Sequence, residues 1–388
     1  MRITDVTTYV LKLSGQQAYL GRMEDGSELT ETRGYVVREP WRSLYSGRYE
    51  TMLVRITAED GTTGWGETLA PVGPEVSAAV VDTMLAGWLR GREMTGVRPL
   101  WFGLRDLMRE RGHLVGHQAD ALAAVDIALW DLQGKLTGLS VAQLLGGATR
   151  TTVPAYISGL ARSTDEERAA LAADWVTQGA TTVKLALGKG IATDLATYDA
   201  VAAAAPSLAI AVDAHWAYRI GEAVELGREL DRRHALFFEA PLAPEDVAGH
   251  RELATRITTP VAVGEALRTR YEFADWLERR ALRLAQPDVA RTGITEAMAI
   301  TELASAAHVP VAFHHSVGLG ISLAAGIHVS AVSQDTPFFE YQPDTIPVAQ
   351  SILRTPLVAG PTGFEVPTGP GLGIDIDADH IATLAKEN

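Results

Sequence analysis

The sequence predicts an α/β protein in which a parallel, eight-stranded β/α barrel follows a smaller α+β module. Three observations predict it. Eight short apolar runs, VPAYIS, TTVKLAL, AIAVDA, LFFEAP, VAVGEA, LRLAQPDV, PVAFHH and FFEYQ, alternate with stretches mostly long enough for one helix each. Near-continuous apolar strands need a sheet covered on both faces, and eight of them make a barrel. Three of these runs close on acids 26 residues apart, Asp213, Glu239 and Glu265. The length of 388 residues holds such a barrel, which takes roughly 250 residues, and a second module.

The N-terminal part reads as α+β. MRITDVTTYVLKL and TMLVRITAEDGTTGWGE are antiparallel strand candidates, the second ending in a glycine-rich turn. Between them lies an irregular stretch, roughly 14–50, of the length expected for a functional lid. Helical patterns follow over about 74–146, among them DALAAVDIALWDLQGK with its apolar i, i+3, i+4 stripe. The tail from Thr355, with PTGPGLGIDID, is expected to return to the N-terminal module.

Composition bounds the function. With 47% hydrophobic residues and no apolar stretch near twenty, the chain can bury a large core without crossing a membrane. A net charge of -14 argues against nucleic acid but leaves an anionic substrate open, because a metal and a few cations can set the field of a cleft. Zero cysteines exclude disulfides and thiolate metal sites. With MRITDVTTYV alternating as a strand rather than as a signal peptide, a cytoplasmic location is expected.

Each of the three acids ends a strand and precedes a helix, so all three project from one end of the barrel. A single strand-ending acid is as readily a helix N-cap. Three in register would repel and stay protonated unless a divalent ion neutralised them, and all-oxygen ligands select Mg²⁺. The other strand ends add Lys184, His215, Asp288, His314, His315 and Glu340. Alternation points Asp213 and His215 to the same mouth, and likewise Lys184 and Ala186. Alone, a buried lysine or histidine is more often a satisfied structural residue; together, at the end where barrel enzymes place their chemistry, they indicate an active site.

These motifs resemble those of the enolase superfamily, in particular its mandelate-racemase-like subgroup. The resemblance rests on MRITDV, GTTGWGE, VDIALWDLQGK, the acid triad, QPDVARTGITE and GPGLGI, in consistent order. It implies a modified (β/α)7β barrel with an α+β capping domain, divided as 1–122 capping domain, 123–354 barrel and 355–388 returning segment. It also implies Mg²⁺ on Asp213, Glu239 and Glu265, proton abstraction α to a carboxylate, an Asp288–His315 general-base dyad, Glu340 facing substrate, and symmetric homo-oligomers. His315 is preferred over His314 because the downstream SLAAGIH segment aligns that way.

Such a proton is too weakly acidic for imidazole unless an enediolate is stabilised as it forms, which a carboxylate bound to Mg²⁺ allows. Lys184 then serves as a cation near the substrate carboxylate or the metal. Many relatives carry Lys-x-Lys on the second strand, where this chain has Lys184-Leu185-Ala186, which weakens a two-base racemase or epimerase. Together with Asp213-x-His215 and GEALRTRYEF, the pattern is similar to that of galactonate dehydratases. It implies that His315 takes the C2 proton and His215 protonates the leaving 3-hydroxyl of an aldonate-type acid. A lactone cycloisomerase or epimerase is the alternative enzyme, and a non-catalytic sugar-acid sensor the alternative of another class. Tyr19, Arg22, Tyr45 and Arg48, with His314, are the substrate-binding candidates.

Overall fold

The structure, a computed structural model, describes residues 1–14, 35–38, 43–111 and 114–387. The N-terminal sheet is antiparallel, in the order β1 (Ile3–Ser14), β4 (Arg48–Ala58), β5 (Thr63–Thr68), beside a hairpin of β2 (Tyr35–Arg38) and β3 (Ser43–Ser46). Helices α1 (Pro74–Val80), α2 (Ala86–Leu89) and α3 (Val97–Arg109) cover it. Ile3, Val6, Met52, Val54 and Ile56 pack with Leu85, Leu89, Leu100, Trp101 and Leu104 into a core of their own.

Helix α4 (Gly116–Thr137) joins the two parts and runs continuously through residue 122, where the sequence division was placed. It packs on β5 on one side and on a barrel helix on the other, which is why DALAAVDIALW is buried nearly all round. The approach is close. A Cβ on Gly64 or Gly66 of GTTGWGE would collide with the carbonyls of Ala128 and Ala124. The aspartates of α4 are not spare: Asp126 accepts Thr295 N–H at 2.8 Å, and Asp131 accepts Trp65 N–H and Leu372 N–H, both at 2.8 Å.

After α5 (Val141–Leu144) the barrel begins. Its strands are β6 (Thr152–Ser158), β7 (Thr182–Ala186), β8 (Ala209–Asp213), β9 (Phe238–Glu239), β10 (Val261–Val263), β11 (Leu284–Ala285), a segment at 311–314 and β12 (Phe339–Tyr341). Helices α6 (Asp165–Thr177), α7 (Ile191–Ala204), α8 (Ile220–Arg232), α9 (Val247–Arg256), α10 (Arg270–Glu278), α11 (Val289–Ala306) and α12 (Gly320–Val332) fill the seven intervals. Segment 311–314 is held by isolated bridges, Ala285 to Val311 and Phe313 to Phe339. β12 pairs in parallel with β6, Glu340 opposite Tyr156, and closes the ring. The architecture is the expected (β/α)7β barrel with a capping domain.

Inside the ring, Tyr156, Ala211, Phe237, Ala262, Leu284 and Ala312 form one layer, with Phe338 against it. The next inward position along most strands, two residues on, carries a polar group: Ser158, Asp213, Glu239, Gln286, His314 and Glu340. β10 departs from this. Gly264 lies so close to the backbone of Gln286 that a Cβ would not fit, and the acid follows one place later, at Glu265.

Beyond α13 (Ile346–Ala349) the tail forms a hairpin of β13 (Ala359–Gly360) and β14 (Gly363–Glu365) that pairs with β6, then helix α14 (Ala378–Leu384) against β1. Among the described residues no helix is long and apolar enough to cross a membrane.

Candidate active site

The mouth of the barrel concentrates charge. Lys184 lies 2.9 Å from Glu239, 3.0 Å from Glu340 and 3.8 Å from Asp213. Glu239 Oε2 also accepts the Gln286 amide at 2.8 Å, while its Oε1 is buried without a hydrogen-bond partner among the described residues. Glu340 is fully buried and accepts the His315 backbone N–H at 3.2 Å and the Gln342 amide at 3.3 Å. His314 bridges two acids, with Nδ1 at 2.7 Å from Asp288 and Nε2 at 2.9 Å from Glu265.

The dyad expected from the sequence is corrected here. Asp288 pairs with His314, not His315. Ala312 faces the barrel interior, so the period of two carries His314 inward and turns His315 to the other face. There the His315 ring packs on Phe339, 5.9 Å between centroids, its Nε2 has no partner among the described residues, and burial pushes its pKa down to about 4. A carboxylate only accepts, so Asp288 fixes the proton on Nδ1 of His314 and leaves Nε2 as the basic nitrogen of the neutral ring.

His215 reaches the mouth by a different route from the one expected. β8 ends at Asp213, and His215 and Trp216 follow at φ 45 and φ 67, left-handed conformations that non-glycine residues rarely adopt. The turn is held by the His215 N–H on Asp213 at 2.9 Å and the Trp216 N–H on Ala240 at 2.7 Å. It sets His215 Nε2 3.0 Å from the Tyr45 hydroxyl, on the β2–β3 hairpin. Tyr45, Arg48, His215, Glu265 and His314 all line one cavity of about 270 Å³, near the lower end of ordinary small-molecule sites. Tyr19 and Arg22 lie outside the described residues.

Burial dominates the electrostatics and neighbouring charges sort it. Burial, against the pull of Lys184 and with help from Asp213 and Glu340, pushes Glu239 up to about 8. Burial raises Asp213 as well, against Lys184. Burial would lower Lys184 and His314, but the acids around them hold both well above their usual ranges. His314 in turn keeps Glu265 well below the carboxylate range despite its burial. Five carboxylates, Asp213, Glu239, Glu265, Asp288 and Glu340, thus meet two cations, Lys184 and His314.

Among the described residues no three acids or histidines already form a closed metal cage: Glu265 is turned to His314 and Glu239 to Lys184. The residues nonetheless fit a divalent cation. Asp213, Glu239 and Glu265 close adjacent strands, supply only oxygen, and include Glu239 Oε1, which is without a partner among the described residues.

Sequence reasoning missed four contributors. Gln286 was readable as an inward position two residues beyond the apolar layer, and Gln342 as the next inward position after Glu340. Arg268 and Arg291, which also line the cavity, each lie three residues after a site acid, Glu265 and Asp288.

A barrel with a capping domain, and a mouth of three strand-end acids beside a His–Asp pair, define the enolase superfamily, and comparison with known families agrees. Residues 39–146 match the mandelate racemase / muconate lactonizing enzyme N-terminal domain, and 167–380 match the enolase C-terminal domain-like family. The chain belongs to the enolase superfamily. It is 33% identical to D-galactarolactone cycloisomerase of Agrobacterium fabrum over 87% of this chain and 92% of the relative. It is 31% identical to D-galactonate dehydratase of Klebsiella pneumoniae, over 86% and 91% respectively. A solved enolase-superfamily member from Agrobacterium tumefaciens superimposes with a TM-score of 0.93 at 34% identity, covering 98% of each chain. Members of the superfamily typically bind Mg²⁺. The reactions of these relatives differ.

Proposed function

We propose that the protein is a Mg²⁺-dependent acid-sugar lyase that removes the proton α to a carboxylate and expels the β-oxygen as water, giving a 2-keto-3-deoxy acid. The observation that carries this reading is the His314–Asp288 pair, whose histidine lines the same cavity as His215. With Glu265 on the cation rather than on His314, the ring would be neutral, its Nε2 would take the α-proton, and Asp288 would hold it in the required tautomer. His215, steadied by Tyr45 and the turn after Asp213, protonates the departing hydroxyl. Lys184 offsets negative charge at the floor of the site. Asp213, Glu239 and Glu265 would hold the cation, which supplies Lewis-acid stabilisation of charge on the substrate carboxylate. Ala186 offers no second base on the strand that carries Lys184, which disfavours racemisation.

A second reading is cycloisomerisation, favoured by the 33% identity to a galactarolactone cycloisomerase. There the β-oxygen belongs to a lactone and leaves as a carboxylate, which needs no acid. Product mass separates the two, because dehydration loses water and lactone opening does not. A panel of acid sugars and lactones with Mg²⁺ should give keto-acid that disappears on dialysis against chelator and returns with added Mg²⁺. Full turnover in metal-free protein would sink the reading.

A further inference from the structure

Two guanidiniums close the outer wall of the cavity and share one counter-charge. Arg268 lies three residues after Glu265, just before α10, and Arg291 three after Asp288, in the first turn of α11, so both stand just beyond the mouth. Arg268 is held firmly: Nε and Nη2 donate to Asp120 at 3.0 and 3.3 Å, and Nη1 donates to the Ala266 carbonyl at 2.5 Å. Arg291 reaches the same carboxylate only at 3.5 Å, through Nη1, and its Nε is buried without a hydrogen-bond partner among the described residues. Asp120 itself is 1% exposed, with His117 at 3.9 Å as its other basic neighbour.

Both arginines line the 270 Å³ cavity, and their side chains are only 17% and 19% exposed. One carboxylate neutralises one guanidinium, so a partly desolvated positive charge and an unsatisfied N–H remain on the wall. The cavity's own acid, Glu265, is engaged by His314 and does not supply the missing partner. What fits a guanidinium with donors to spare is a planar carboxylate, bound through two parallel hydrogen bonds.

We propose that Arg291, backed by Arg268 and Asp120, binds a second carboxylate of the substrate, so that the preferred ligands are sugar diacids or their monolactones rather than sugar acids with a single carboxylate. The inference rests on the proposed function for the reacting end and adds a reader for the far end. Arg268 is the positioning residue: it occupies Asp120 and leaves Arg291 underused.

The test is calorimetric titration of the Mg²⁺-loaded protein with aldarates and aldonates matched carbon by carbon, across the C2–C5 stereoisomers. The expected result is at least ~10-fold tighter binding of the diacid within the best matched pair, a preference erased in Arg291→Gln and partly kept in Arg291→Lys. Because the readout is a ratio measured on one preparation, loss of folded fraction in a variant does not mimic it. A purely structural Arg291 leaves the ratio unmoved, and that result, equal affinity within every pair, or no binding by any member overturns the inference. Deuterium exchange at the α-carbon, measured on the same panel, answers separately for the proposed chemistry: a diacid preference without exchange sinks the lyase reading and leaves the diacid site standing.

Discussion

His314 and His315 are chain neighbours with opposite surroundings, one between Asp288 and Glu265, the other against Phe339. His314→Asn is therefore expected to lower α-proton exchange in D₂O by at least ~10², the scale of a positioned general base. His315→Asn should keep exchange, and the reverse outcome would reassign the base. His215→Asn tests the other half of the reaction: exchange into recovered substrate should survive while keto-acid formation collapses, and parallel loss of both at saturating Mg²⁺ would count against an acid role. The acids were legible because each ends an apolar run at a regular interval. The choice between adjacent histidines was not taken correctly, although PVAFHH holds the signal. Small Ala312 faces a crowded barrel interior while Val311 and Phe313 face the helices, and parity then selects His314. The turn that presents His215 was beyond sequence reading, since its left-handed φ at two consecutive non-glycine residues depends on the Trp216 N–H bond to Ala240, after the next strand, as well as on the local bond to Asp213.

Helix α12 shows how the elements are tied below the mouth. His328 on its buried face accepts the Ala142 N–H at 3.3 Å and donates to the Leu372 carbonyl at 3.0 Å, joining α5, α12 and the tail. A protonated ring cannot accept the first bond. Burial pushes this histidine down to about 4 from an ordinary value of 6.5, so between those values the unfolded chain binds the proton more readily than the folded one. Stability from this contact is complete above about pH 6.5 and falls as pH drops through 4, by at most roughly 3 kcal/mol. Denaturant midpoints measured against pH should show that slope, and His328→Asn should flatten it; an unaltered slope would remove His328 as its source. Element type and order were readable from periodicity, whereas the fine structure of the seventh strand was not. Its ladder is reduced to isolated bridges, and an apolar run looks the same whether its backbone bonds are many or few.

Glu67 is one of the ties between the two domains. Its carboxylate, on β5 of the capping sheet, accepts the Leu319 N–H at 2.6 Å and the Ser322 N–H at 2.8 Å at the start of α12, and the Thr51 hydroxyl at 3.0 Å. Glu67→Ala strands two buried amides and should lower stability by roughly 2–4 kcal/mol in a single unfolding transition, with Glu67→Gln milder. It should also slow turnover, because residues 315–319 run from His314 to that helix. Two separate transitions in the wild-type protein would show instead that the domains unfold independently. The closure of the ring has a consequence in time as well as in space. β6 is bonded along one edge by β12 at residues 155–157 and by β14 at 152–154. During synthesis the first barrel strand leaves the ribosome nearly two hundred residues before the strands that complete that edge. Until they arrive, Lys184 lacks Glu340 and the open edge of the nascent barrel can pair with any extended chain nearby.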